Sequence, residues 1–243
     1  AFEFIWSHHH ILMDGWSMSI LIKEFFQIYN DFSKSLPNSL GKVYPFSNYI
    51  QWLDTVNRNK SLDYWKTYLK DFKTPSKLNY NHLSNMEFSK EEISFGLNEN
   101  SSEELRSFCR KNQITENIFI ETVWSILLSK YTETNDVVFG SVVSGRPPHL
   151  EGIQKMIGLF INTVPVRSKI NRNISVKELL KIMFKNSISG SDHHFIHLSE
   201  IFSISELGNN LFDHILVFEN YPIDQNIMDN TTLEGNKDGL KFK

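Results

Sequence analysis

The stretch SHHHILMDGWS, residues 7–17, sets three histidines, an aspartate and a glycine directly ahead of an apolar run. His9, His10, Asp14 and Gly15 follow the pattern H-H-x-x-x-D-G. An imidazole, with an unperturbed pKa of about 6.5, takes up and returns a proton near neutral pH. An aspartate four residues on serves in one of two ways: it orients the imidazole, or it braces the loop through an ion pair with an arginine from elsewhere. The glycine permits a tight turn before the helix that follows. A His and an Asp four apart are a weak signal by themselves; the doubled His and the D-G-W before a helix make it much stronger.

Other uses of these residue types compete. Successive residues of a strand face opposite sides, so His8 and His10 could share a metal site that His9 could not. The only other dense histidine group, His193, His194 and His197, has no Cys or carboxylate at a finger-like spacing, and no metal is expected. The histidines could also simply cap a helix and fill a polar pocket. The single Cys109, inside LRSFCRKN, excludes an internal disulfide and has no obvious His partner nearby, so it reads as a core residue.

The elements that must position these residues follow from periodicity. Residues 1–7 are aromatic-rich and loosely alternating, as a strand would be, with the histidine run at its end. From Ser17 as N-cap, Met18, Leu21, Ile22, Phe25, Ile28 and Tyr29 recur at helical spacing to about residue 32. Two further helical patterns cover 46–58, with Tyr49, Trp52 and Leu53 as the buried face, and 61–72, with Tyr64, Trp65 and Leu69. The polar stretch KTPSKLNYNHLSN reads as a linker. Beyond it, MEFSKEEISFGL (86–97) predicts a strand, and Ser101 with Glu104 a capping box opening a helix to about Asn112. Between Thr115 and Tyr131 apolar residues cover nearly the whole circumference, which predicts a deeply buried helix. Strands are expected at 136–145, 163–170 and 213–221, and a second capping box, Ser175 with Glu178, starts a helix through about residue 188. Strands interleaved with long helices predict an α/β layered architecture.

Composition narrows the function classes. The 243 residues carry a net charge of -3 with no local Lys/Arg run, which argues against nucleic acid as a partner. No apolar stretch reaches the roughly 18 residues of a membrane span, and the first residues lack the basic start of a secretion signal, so no membrane partner and a cytoplasmic location are expected. AFEFIW looks like a strand already in progress and EGNKDGLKFK stops as another begins, which reads as a piece of a longer polypeptide.

SHHHILMDGWS closely resembles the core motif of condensation domains of nonribosomal peptide synthetases, in the superfamily of chloramphenicol acetyltransferase. The resemblance extends along the chain in the family's order. YPFSNYIQWL (44–53) is similar to its Y-x-D-Y-x-x-W element, with Phe46, Asn48, Tyr49 and Trp52 in the corresponding places. DVVFGSVVSGRP (136–147) resembles its strand and S-G-R turn, and MIGLFINTVPVR (156–167) its I-G-x-F-x-N-T-x-P-x-R signature. HHFIHLSEI (193–201) resembles its H-x-x-x-P-x-x-x-L element, and ILVFENYP (215–222) its late strand. His197 stands where the family usually has Pro, and Asn48 where it usually has Asp.

The resemblance implies a two-lobed, chloramphenicol acetyltransferase-like α/β fold, incomplete at both ends. Residues 1–75 would be the remainder of the N-terminal lobe, 76–86 a linker and 87–243 a truncated C-terminal lobe. It implies amide bond formation between a donor acyl or peptidyl thioester, with an L-configured donor, and an acceptor aminoacyl thioester. Both ride on phosphopantetheine arms of carrier proteins, and the domain itself binds no cofactor. Upstream and downstream peptidyl carrier domains and a neighbouring adenylation domain would be the partners. His10 falls at the reacting centre, either taking the amine proton or holding the amine by a hydrogen bond. His9 and Gly15 would shape the loop and Asp14 would brace it, with Arg146 as candidate partner; a solvated turn residue is the other reading of Arg146. Asn162 either borders the tunnel or stabilises a turn, Trp16 either lines the donor side or packs the helix start, and Ser144 is a supporting residue of the S-G-R turn. An epimerisation domain, a free-standing acyltransferase and a catalytically silent docking fragment are the alternatives.

Overall fold

In the computed structural model, residues 5–77, 90–171 and 173–219 are described. The chain divides into two compact units that are not consecutive stretches of sequence. One is drawn from Ala1–Val56 and Ser144–Ile161, the other from Asn57–Val143 and Asn162–Phe218. Residues 57–75 thus group with the second unit and 144–161 with the first, unlike a division at 76–86. Most of that expected linker, from residue 78 on, lies outside the described residues.

The second unit is built on a mixed sheet. Its central strand β1 (Asp136–Val143) buries five successive residues, as its β-branched run requires. β2 (Asn162–Lys169) pairs antiparallel with it, from Asp136 opposite Lys169 to Val143 opposite Asn162. β3 (Ile215–Leu216) pairs with it in parallel, Gly140 opposite Ile215, giving the order β2-β1-β3. Of the strand expected at 213–221 only these two residues pair, and 220–221 lie outside the described residues.

Four longer helices of this unit are α3 (Arg58–Leu69), α4 (Glu99–Asn112), α5 (Glu116–Thr132) and α6 (Val176–Ser191). A core of Cys109, Ile114, Ile118, Leu179, Leu180 and Met183 joins the last three, and burial raises the Cys109 thiol's pKa. The Ser175–Glu178 capping box opens α6. The N-cap of α4 lies three residues before the expected Ser101: Asn98 Oδ1 accepts from Ser101 N at 2.8 Å. α5 is buried on one stripe only, through Ile118, Glu121, Thr122, Ser125 and Leu128, while Val123, Leu127 and Tyr131 are exposed. Thr122 and Ser125 tolerate burial because each hydroxyl donates to the carbonyl one turn back, at 2.7 Å.

Residues 90–97, expected as a strand with 86–89 outside the described residues, form none; Ile93 and Phe95 are 91% and 90% exposed. The short α7 (Leu198–Ile204) is tied to α3 by Arg58, whose Nη2 donates to both Glu200 oxygens at 2.8 and 2.6 Å.

In the first unit lie α1 (Gly15–Ser33) and α2 (Ser47–Thr55). Tyr49, Ile153, Met156 and Phe160 form its buried core, with Phe46 and Trp52 packed against them. Residues 5–9 form no strand, and a 3-10 turn, His10–Leu12, takes the place of the expected strand end. Among the described residues no helix is long and apolar enough to cross a membrane.

Candidate active site

The histidine loop is organised from its own backbone outward. His9 Nδ1 accepts the Ile11 N–H at 3.1 Å, which places its neutral-ring proton on Nε2 and caps the turn. Leu12 N and Met13 N donate back to the carbonyls of His9 and His10 at 3.1 and 3.3 Å. His10 opens this turn with its ring exposed, while the Trp6 ring lies against His8 with centroids 5.6 Å apart. Residues 8 and 9 pair in no strand and His10 opens a 3-10 turn, so strand alternation does not govern which imidazoles share a side.

Asp14, not Ser17, is the N-cap of α1: its Oδ1 accepts from Ser17 N at 2.9 Å. Gly15 is accordingly the first residue inside the helix, not a turn before it. The rest of the Asp14 carboxylate is used within the unit. Oδ1 also accepts from Ser17 Oγ at 2.9 Å and from Arg146 Nη2 at 3.2 Å, and Oδ2 from Phe160 N at 3.1 Å.

Arg146 is buried, not a solvated turn residue. Its Nη1 donates to the carbonyls of Ile153 and Met156 at 2.6 and 2.9 Å, its Nη2 also to Ser17 Oγ at 3.0 Å, and its guanidinium lies 4.0 Å from the Phe160 ring centroid. Burial lowers the Arg146 pKa and the Asp14 carboxylate opposes that shift; an arginine stays protonated regardless, so this is a charged pair in the interior. Gly145, before it, has φ +61°, and a Cβ there would collide with the Phe160 carbonyl.

The other expected site residues divide between the units. Trp16 is half-buried in the first, its Nε1 donating to Gln154 O at 3.2 Å, and Ser144 is exposed there. Asn162 belongs to the second. Its Nδ2 donates to the carbonyls of His194 and Ile196, both at 2.7 Å, and its Oδ1 accepts from Thr163 N, so it fastens the loop between α6 and α7 to the start of β2. In that loop burial is the main force pushing His194 down to about 4. His197 takes the N-cap position of α7 and its N–H donates to Glu200 at 3.3 Å, a bond that the family's usual proline could not make.

Sequence reasoning missed the Ser17 hydroxyl, whose Oγ also meets the backbone of Gly158. It missed a clamp in the second unit as well, where Arg167 pairs with Asp136 at 2.6 Å and caps α3 through the carbonyls of Tyr68 and Lys70.

The Condensation domain family matches residues 1–242. Gramicidin S synthase 2 of Brevibacillus brevis is 37% identical over 235 residues, 96% of this chain and 5% of that protein. Bacitracin synthase 3 of Bacillus licheniformis is 36% identical over 237 residues, 97% of this chain and 4% of that protein. Among solved structures, the first condensation domain of the calcium-dependent antibiotic synthetase in complex with substrate analogue 2a aligns with a TM-score of 0.68 at 17% identity, covering 90% of this chain and 51% of that one. The chain therefore spans a small part of these synthases and about half of that solved chain. The structural likeness defines the fold as that of a condensation domain, mixed α/β. By its family match and its relatives, the chain belongs to the condensation domain family of nonribosomal peptide synthetases.

Proposed function

We propose that the chain supplies the histidine loop of a condensation domain that forms an amide bond between two thioesters carried on phosphopantetheine arms. The α-amine of the acceptor attacks the donor thioester carbonyl, the C–N bond forms, and the C–S bond breaks to release the donor arm as a thiol. The elongated product remains on the acceptor arm. Upstream and downstream carrier domains and a neighbouring adenylation domain are the partners, an L-configured donor the substrate, and the cytoplasm the setting.

The observation that carries the proposal is the buried Asp14–Arg146 pair beneath a loop whose next turn presents His10 to solvent. Such an arrangement fixes a titratable group without shielding it. An α-amine has a pKa of about 7.7–8.0, so a useful fraction is already neutral near pH 7. Alignment of tethered reactants can supply about 7–11 kcal/mol, against roughly 10²- to 10⁴-fold from a positioned acid or base. His10 serves the reacting centre by accepting the amine proton or by holding the amine for attack.

The experiment is reconstitution of the full-length polypeptide with loaded carrier proteins, with the product followed by mass. Amide product that depends on His10 supports the proposal. Loss of the donor's α-hydrogen to solvent without amide formation would assign epimerisation instead.

A further inference from the structure

We propose that Ser17 is a positioning residue for this reaction, the point through which Ser144–Ile161 sets the posture of the His10 loop. The inference rests on the reading that His10 acts at the reacting centre. Because Asp14 caps α1, the Ser17 side chain is not spent on the helix start. A hydroxyl has one proton and two lone pairs. Both lone pairs are taken, by Arg146 Nη2 at 3.0 Å and Gly158 N at 3.1 Å. The proton faces Asp14 Oδ1 and Gly158 O, each at 2.9 Å. One fully buried hydroxyl therefore joins the histidine loop, the S-G-R turn and the segment around Gly158.

The route to His10 is short. Asp14 N donates to the Gly158 carbonyl at 3.3 Å, and Met13 N to the His10 carbonyl at the same distance. A Cβ at Gly158 would collide with the Phe46 ring, so the backbone that meets Ser17 is packed on its other side by that ring and admits only glycine. Removing the hydroxyl leaves the Gly158 N–H buried and unpaired and leaves Arg146 Nη2 with Asp14 alone. The loop then relaxes to satisfy them and carries His10 with it.

The test measures single-turnover amide formation in the full-length polypeptide with loaded carriers, for wild type, Ser17→Ala, His10→Ala and the double variant. A displacement of about 1 Å at a reacting group costs on the order of 10²-fold, which is the fall expected for Ser17→Ala. In the His10→Ala background the same change is expected to alter the residual rate less than about twofold, since residues acting as a unit are not additive. An equal fall in both backgrounds would show that Ser17 does not act through His10 and would overturn the inference. A wild-type rate for Ser17→Ala would overturn it too. A wild-type rate for His10→Ala is a different result, which removes the reading of His10 itself. If Ser17→Ala loses its cooperative melt, Ser17→Cys keeps the volume with a weaker donor and acceptor; a fall of about tenfold with an intact melt supports the inference, and a wild-type rate overturns it.

Discussion

Asp14 Oδ1 and Arg146 Nη2 lie 3.2 Å apart with their side chains 4% and 1% exposed, 132 residues from each other along the chain. The pair is the floor on which the histidine loop rests. An isolated pair of this kind adds little net stability, since desolvation offsets most of the attraction, but breaking it strands a buried charge.

Asp14→Ala and Arg146→Ala are accordingly expected to destabilise by about 3–5 kcal/mol each, and the double variant by less than their sum. Arg146→Lys keeps the charge but not the two-pronged fork that serves Ile153, Met156, Asp14 and Ser17 together, so it should not restore stability. Urea denaturation checks both. An Asp14→Ala protein with an unchanged melt and lost activity would contradict the bracing role.

Glu121 makes stability depend on pH. Its carboxyl is buried, which raises its pKa above the ordinary 4.5 despite hydrogen bonds from Ser141 Oγ at 2.6 Å and Asn117 Nδ2 at 3.2 Å. With the folded value above the unfolded one, the folded state holds more protons in the window between them. This contribution is complete below the unfolded value and is lost as pH rises through the folded one. Glu121→Gln keeps an acceptor for Ser141 and removes the loss, so the urea midpoint at about pH 8 should rise relative to that at about pH 4 when each is compared with the wild type. An unchanged spacing would contradict this.

Asn162→Ala is expected to cost about 1–3 kcal/mol, because the carbonyls of His194 and Ile196 lose a donor they share. Hydrogen exchange should rise first in the loop between α6 and α7. Stability within error of the wild type would mean that water replaces the amide.

Much of this was legible in the sequence. The Asp14–Arg146 pairing was a candidate drawn from the resemblance, beside a solvated Arg146, and only the burial of both side chains decides between the two. The cap of α1 was not legible: Asp14 and Ser17 are both good capping residues three apart, and only the direction of the hydrogen bond decides between them. Asn98 and Ser101 repeat the ambiguity at α4. The buried stripe of α5 escaped because apolar periodicity is blind to Thr122 and Ser125, whose hydroxyls satisfy themselves on their own helix. Residues 90–97 alternate as a strand should, but alternation does not supply a neighbour to pair with. The work of Ser17 depends on Gly158, 141 residues away, and no local pattern announces it.

The most direct test of the account is the rate of amide product formation by His10→Ala in the full-length polypeptide, measured beside its melting temperature. With His10 exposed, the melt should not change, and the rate should fall by about 10²-fold or more. A rate near wild type would place the chemistry elsewhere and leave the histidine loop a structural feature of the fold.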